Sequence, residues 1–193
     1  LFFMISENFK NETARQEQVV TDHNENNIRM IGEIDSCDAI NNLCRLLIFT
    51  DGYKDAEVTE RAIIKLKTNP LWQEELVRLL KTDNAPEVFT FLASNKVDSN
   101  ELFYEPIRIG LQIQAKLIRE DIRRCSHPSH FYPDQFSWEI ERVLRTVDKF
   151  SSNNVNYISE MKEIRSALDE PSEFQKPKFI CIPKLEQWIK EHH

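Results

Sequence analysis

The chain has 193 residues, a net charge of −7, 40% hydrophobic residues and only 3 Gly and 8 Pro. That length suits one ordinary domain or two small ones and buries roughly 70% of the unfolded surface; the scarcity of Gly and Pro argues against a disordered or loop-dominated chain. The acidic balance argues against a dedicated duplex-DNA binder, whose affinity comes from cations facing phosphates, while leaving room for a local basic stripe.

Residues 1–35 form a polar lead-in, partly helical or disordered, with Val19, Val20, Ile28, Met30, Ile31 and Ile34 as scattered apolar contacts. Leu1-Phe2-Phe3-Met4-Ile5 is apolar but too short to span a bilayer, and an N-terminal trimming is favoured over the end of a removed leader or anchor. Asn11-Glu12-Thr13 fits a glycosylation acceptor, a triplet that also arises often by chance. Residues 36–193 are expected to form one helical-repeat domain.

In that domain Ser36 is placed to cap a first helix carrying Ala39, Ile40, Leu43, Leu46 and Leu47, broken by Thr50-Asp51-Gly52-Tyr53. A second helix, from about Asp55 to Lys67, puts Val58, Ala62, Ile63 and Leu66 on one face. Asn69-Pro70 ends it, and Pro70 suits the first turn of a third helix with Leu71, Trp72, Leu76, Leu79 and Leu80. Asp83-Asn84-Ala85-Pro86 turns into a fourth, with Val88, Phe89, Phe91 and Leu92. A longer helix runs from about Ser99 to Arg124, kinked or split by Pro106, with Leu102, Phe103, Ile107, Leu111, Gln114, Ile118 and Ile122 in register.

A proline-bearing loop covers residues 125–136, and a further helix runs from about Ser137 to Phe150 with Ile140, Val143, Leu144 and Val147. After a break at Ser151-Ser152-Asn153-Asn154, Tyr157 to Leu168 reads as a helix with Ile158, Met161 and Ile164. Phe179-Ile180-Cys181-Ile182 is short, β-prone and flanked by prolines, so it is expected as an extended segment laid on the helices. A last helix, Lys184 to Lys190, buries Leu185, Trp188 and Ile189.

One stretch occurs twice. Leu43, Arg45, Leu46, Leu47, Thr50, Asp51, Glu57 and Val58 are echoed by Leu76, Arg78, Leu79, Leu80, Thr82, Asp83, Glu87 and Val88, an offset of 33 residues at the start and 30 at the end. Trp138, Glu141 and Val143 follow Trp72, Glu75 and Val77 at 66, twice the period. Such repetition points to stacked helical hairpins that cover each other's apolar faces. Each Leu or Phe so buried contributes about 1.5–3 kcal/mol. The paired helices, the period and the Asp-Ala-Glu-Val and Ala-Pro-Glu-Val helix starts resemble the HEAT- or armadillo-like α-solenoid repeats, mainly over residues 37–95. The resemblance implies an all-α stack of antiparallel hairpins, a HEAT-like α-α superhelix with an irregular C-terminal extension, and a curved binding surface. It implies no catalytic residue.

No phosphate-binding loop, nucleophile elbow, HExxH or EF-hand pattern occurs. Carboxylate neighbours such as Glu74-Glu75 and Glu139/Glu141 are those of solvated helix faces. Cys125, His127, His130 and Asp134 are the nearest approach to a metal-ligand cluster, in one uneven run rather than two spaced pairs, so an ordinary surface loop that docks Phe131 and Tyr132 is the expectation. No cofactor is expected. Cys37, Cys44, Cys125 and Cys181 contain no CxxC pair and read as reduced, part-buried thiols; they do not fix the compartment, and the cytoplasm is favoured.

Arg108, Gln112, Lys116, Arg119 and Arg123 recur at helical spacing beside Arg124, and Arg142, Arg145 and Lys149 form a similar stripe one helix later. Packed antiparallel, the two stripes would make one basic groove for an acidic peptide, a phosphate or nucleic acid; otherwise Glu105, Glu120, Asp121, Glu139 and Glu141 balance them on a solvated face. Some helical-repeat proteins are DNA-base glycosylases that use such a groove with aromatic and carboxylate residues; Trp138 and Asp148 are conceivable in those roles, though no spacing singles them out. The favoured expectation is a non-enzymatic module that binds a protein partner. A nucleic-acid-binding or repair protein using the basic stripes comes second. A domain held at a membrane by a segment upstream of Leu1 comes third.

Overall fold

The computed structural model describes residues 24–152 and 154–192; Leu1 to Ile5, the Asn11 triplet, Val19, Val20, Asn153 and His193 lie outside them. The described chain is all-helical: α1 over 24–36, α2 Leu43–Leu47, α3 Ala56–Leu66, α4 Trp72–Leu79, α5 Ala85–Ser94, α6 Tyr104–Arg124, α7 Ser137–Phe150, α8 Ile158–Leu168 and α9 Ile182–Glu191. Two short 3-10 turns, Asn100–Phe103 and Pro128–His130, precede α6 and α7. Among the described residues the only β pairing is one isolated bridge, Ser152 with Val155.

Ser36 ends a helix rather than starting one. Its hydroxyl donates to the Glu33 carbonyl at 3.0 Å, closing α1. Asp38 then takes the backbone N–H groups of Ile40 and Asn41 at 2.9 and 3.3 Å, so the expected helix from Ser36 breaks at residues 37–42 and only α2 survives of it. The reason is local competition: a short carboxylate offers the backbone partners that a helix would otherwise supply. α1 itself buries Met30 and Ile34, and Asp35 at its end forks with Arg61 of α3 at 2.7 and 2.9 Å.

Asp55 caps α3, accepting from Glu57 N–H at 2.9 Å. Pro70 lies in the turn before α4, which starts at Trp72, and Leu71 is exposed. Pro106 sits in the first turn of α6, where its missing N–H has no helical partner to lose, so the long helix begins there behind a 3-10 turn. The Phe179–Ile182 run is not a strand. Phe179 packs between Phe131 and Phe136 at ring-centroid distances of 6.5 and 5.1 Å. Ile180 N–H donates to the Pro133 carbonyl at 2.9 Å, and Ile182 already opens α9, with Pro183 in its first turn.

Helix α5 is the hub. Ala85, Val88, Phe89, Phe91, Leu92 and Ala93 are buried, which leaves it apolar on most of its circumference. On one side α5 packs on α2, which also touches α3 and α4. On the other side α5 packs along α7 and against α6; α6 runs along α8, and α9 bridges α8 and α7. The strongest partners in this half are therefore alternate helices, α5 with α7 and α6 with α8. Two buried or half-buried asparagines stitch the turns together: Asn69 donates to Ala39 O at 3.1 Å, and Asn95 to Thr50 O at 3.0 Å.

Gly110 lets α6 approach the α4–α5 corner. A Cβ there would meet Leu80 Cδ2 at 3.0 Å, Phe89 Cζ at 3.1 Å and the Leu80 carbonyl at 3.2 Å, whereas one at Gly32 in α1 would meet nothing within 4 Å. Gly110→Ala is expected to destabilise the protein by about 1–3 kcal/mol through overpacking. Gly32→Ala is expected to stabilise it by about 0.5–1 kcal/mol through lower unfolded-chain entropy. Urea denaturation of the two variants checks both signs.

Candidate functional site

The basic stripes do not meet. α6 turns its cations toward α8: Arg108 bonds Glu160 at 2.7 Å and reaches the Asn156 carbonyl at 3.2 Å. Arg119 pairs with Glu163 at 2.8 Å, Arg123 with Glu170 at 2.6 Å, and Arg124 with Glu120 at 3.2 Å. Lys116 reaches Asp83 at 3.3 Å. Acids on and just beyond α8 accept these arginines along the packing of α6 on α8.

On α7 each cation has a separate task. Lys149 donates to the carbonyls of Leu92, at 2.9 Å, and of Asn95, closing the C-terminal end of α5. Arg145 lies with its guanidinium 6.0 Å from the Tyr53 ring centroid. Arg142 is only 2% exposed, and its Nη2 donates to Asp51 Oδ2 at 2.8 Å; Asp51 is likewise 2% exposed. Trp138 covers the Arg142 guanidinium at 3.0 Å and Tyr53 faces it at 5.0 Å. The Tyr53 hydroxyl donates to Glu141 at 2.7 Å. Asp148 accepts from the Trp188 indole N–H, a contact between α7 and α9. Ten residues along one helix separate it by about 15 Å from Trp138, so the two do not share a site.

The Cys125–Asp134 run forms a turn. His127 Nδ1 lies 2.7 Å from Ser129 Oγ and accepts from Ser129 N–H, and Cys125 Sγ donates to the His127 carbonyl. Phe131 is buried and Tyr132 is exposed. Among the described residues no group of three or more His, Cys, Asp or Glu can hold a metal ion. Their four cysteines carry no disulfide, and burial pushes the Cys181 thiol up to about 11. No described helix is long and apolar enough to cross a membrane.

The concave feature that does gather chemistry is a cleft of about 340 Å³ where α5, α6 and α7 meet the Asp51 turn. Ile48, Pro86, Phe89 and Trp138 give it apolar walls; Asp51, Glu87, Gln114, Glu139 and Arg142 give it polar ones, with Lys54 beside them. Four of these side chains hold a buried polar atom without a hydrogen-bond partner: Glu87 Oε2, Gln114 Oε1, Glu139 Oε2 and Arg142 Nε. Gln114 is only 3% exposed. Orphaned buried polar atoms are uncommon in a folded chain, and four in one cleft mark a site. Burial raises the Glu139 carboxyl above its ordinary range, helped by Asp121 and opposed by Arg142. Periodicity put Gln114 in the apolar row of its helix, and a polar member of such a row was the one signal for this site. Around the mouth, Ile48, Tyr53 and Trp138 are 52%, 62% and 49% exposed, with Tyr53 and Trp138 rings in contact at 5.7 Å.

No protein-family model, no curated protein and no solved structure matches the chain.

A carboxyl raised by burial favours folding when protonated, and that advantage is lost as pH climbs through its folded value. Glu139→Gln is therefore expected to raise Tm by about 2 °C near neutral pH. The gain closes as pH is lowered into the ordinary glutamate range. Thermal melts across that interval check the sign.

Proposed function

We propose that this chain is a non-enzymatic interaction module that receives a protein partner on the face around Trp138, Tyr53 and Ile48. The observation that carries this reading is the exposed aromatic pair set over a buried arginine at the mouth of a cleft. Trp, Tyr and Arg are the residue types that dominate binding energy at protein interfaces, and a half-covered Trp beside a pocket is an anchor of that kind. We read the module as helical-repeat in type. The two copies of the echoed stretch end alike, with Thr50 Oγ1 donating to Leu47 O at 2.7 Å and Thr82 Oγ1 to Leu79 O at 2.8 Å. Helix α2 packs on α3, α4 and α5, which supports that reading. The ion pairing of Arg108, Arg119 and Arg123 with acids of the same chain favours a protein partner over nucleic acid.

The test is a partner recovered from an extract of the source organism, purified and titrated against the chain. Trp138→Ala is expected to weaken its binding by about thirtyfold, the mark of an interface anchor of about 2 kcal/mol. Ile48→Ser weakens it less, and Leu71→Ala, on a different exposed side chain, leaves it unchanged. Turnover by the purified chain that one substitution abolishes, or oligonucleotide binding that falls steeply with salt, contradicts the reading.

A further inference from the structure

We propose that the cleft between α5, α6 and α7 is a cation-recognition pocket that takes the guanidinium or ammonium tip of an arginine or lysine side chain from the partner. The inference rests on the interaction reading above and names what the partner must present.

Three of the orphaned atoms, Glu87 Oε2, Gln114 Oε1 and Glu139 Oε2, are acceptors, and two belong to carboxylates. These atoms are closed to solvent in the free chain, so a ligand reaches them as the side chains turn toward it, and one that satisfies them brings several N–H donors and positive charge. An anion would face those same carboxylates; of the two cations in the lining, Arg142 is already committed to Asp51 at 2.8 Å and Lys54 alone is outnumbered by Glu87 and Glu139. A metal ion is not favoured, because no described cluster can hold one. The walls answer to a flexible apolar stem: Phe89 lies deep and Trp138 stands at the rim. About 340 Å³ accommodates a long basic side chain with room to spare. Arg142 Nε, a donor without a partner, is left for a carbonyl of the same ligand. Burial disfavours the charged form of Glu139; an entering cation relieves that cost, so binding and ionisation support each other.

The experiment titrates two matched pairs of probes into the full chain, following Trp138 by its indole N–H resonance. One pair is butylguanidinium and its uncharged isostere butylurea; the other is acetyl-Ala-Arg-Ala-amide and the same peptide with citrulline. Both cationic probes are expected to saturate with Kd on the order of 1 mM. Both neutral probes bind at least about tenfold more weakly, as the loss of a charged hydrogen bond implies. Combining Glu87→Gln with Glu139→Gln is expected to lower the affinity of the cationic probes by a similar factor, while Glu60→Gln on α3 leaves it unchanged.

Equal binding of charged and neutral members, or cation binding indifferent to the double variant, overturns the proposal; so does no saturation by any probe, in which case water alone fills the cleft. Butylguanidinium binding without peptide binding also overturns it, because the ligand is then a free small cation. A partner whose affinity depends on Trp138 but not on Glu87 and Glu139 sinks this inference and leaves the interaction reading standing. The comparison of charged and neutral probes on the unmodified chain decides the matter even if the double variant fails to fold.

Discussion

The ion pair between Arg142 and Asp51 holds the two halves of this molecule in one register. It joins α7 to the turn after α2 across 91 residues of sequence, with both side chains almost wholly out of water. Taking two charges out of water costs several kcal/mol each, and their attraction offsets this only with good geometry and further hydrogen bonds. The protein supplies some of those. Asp51 Oδ1 accepts from Tyr53 N–H at 3.2 Å, Arg142 Nη1 donates to the Trp138 carbonyl at 3.3 Å, and two aromatic rings face the guanidinium. Arg142 Nε is left without a partner, and Arg142 also lines the cleft.

From that constraint the rest of the architecture is arranged around α5. A helix apolar on most sides must be covered on most sides, and α2, α6 and α7 do so. With α7 tied to the turn after α2 by the buried pair and to the end of α5 by Lys149, α6 finds its extended partner in α8. Charge reinforces the choice, since the α6 arginines meet glutamates on or just beyond α8. The basic residues of the chain thus serve its own packing. The surface that remains unusual is the aromatic rim over the cleft.

Much of the helix content was legible because apolar residues at helical spacing must face a core, and α3, α5, α6, α7 and α8 fall where Val58, Val88, Leu111, Val143 and Ile164 place them. The break at Asp38 was hidden because Ala39, Leu43 and Leu46 keep a helical rhythm across it, and periodicity does not register one carboxylate bonding its own backbone. Phe179 to Ile182 read as an extended segment because its residues are β-prone, yet Phe179 and Cys181 are buried, Ile180 is exposed and Ile182 already opens α9. The cleft was barely legible. Asp51 and its echo Asp83 look alike in sequence, yet one is buried against Arg142 and the other lies exposed beside Lys116. That difference depends on which helices become neighbours, and sequence neighbours were the wrong guide once α6 chose α8.

The most direct measurement is a double-mutant cycle on the buried pair, by urea denaturation of Asp51→Asn, Arg142→Met and the two together. Each single variant leaves one buried group without its partner and is expected to cost about 3–5 kcal/mol. The double variant should cost less than the sum by at least about 2 kcal/mol. Costs that add to within about 0.5 kcal/mol would contradict the claim that this contact joins the two halves.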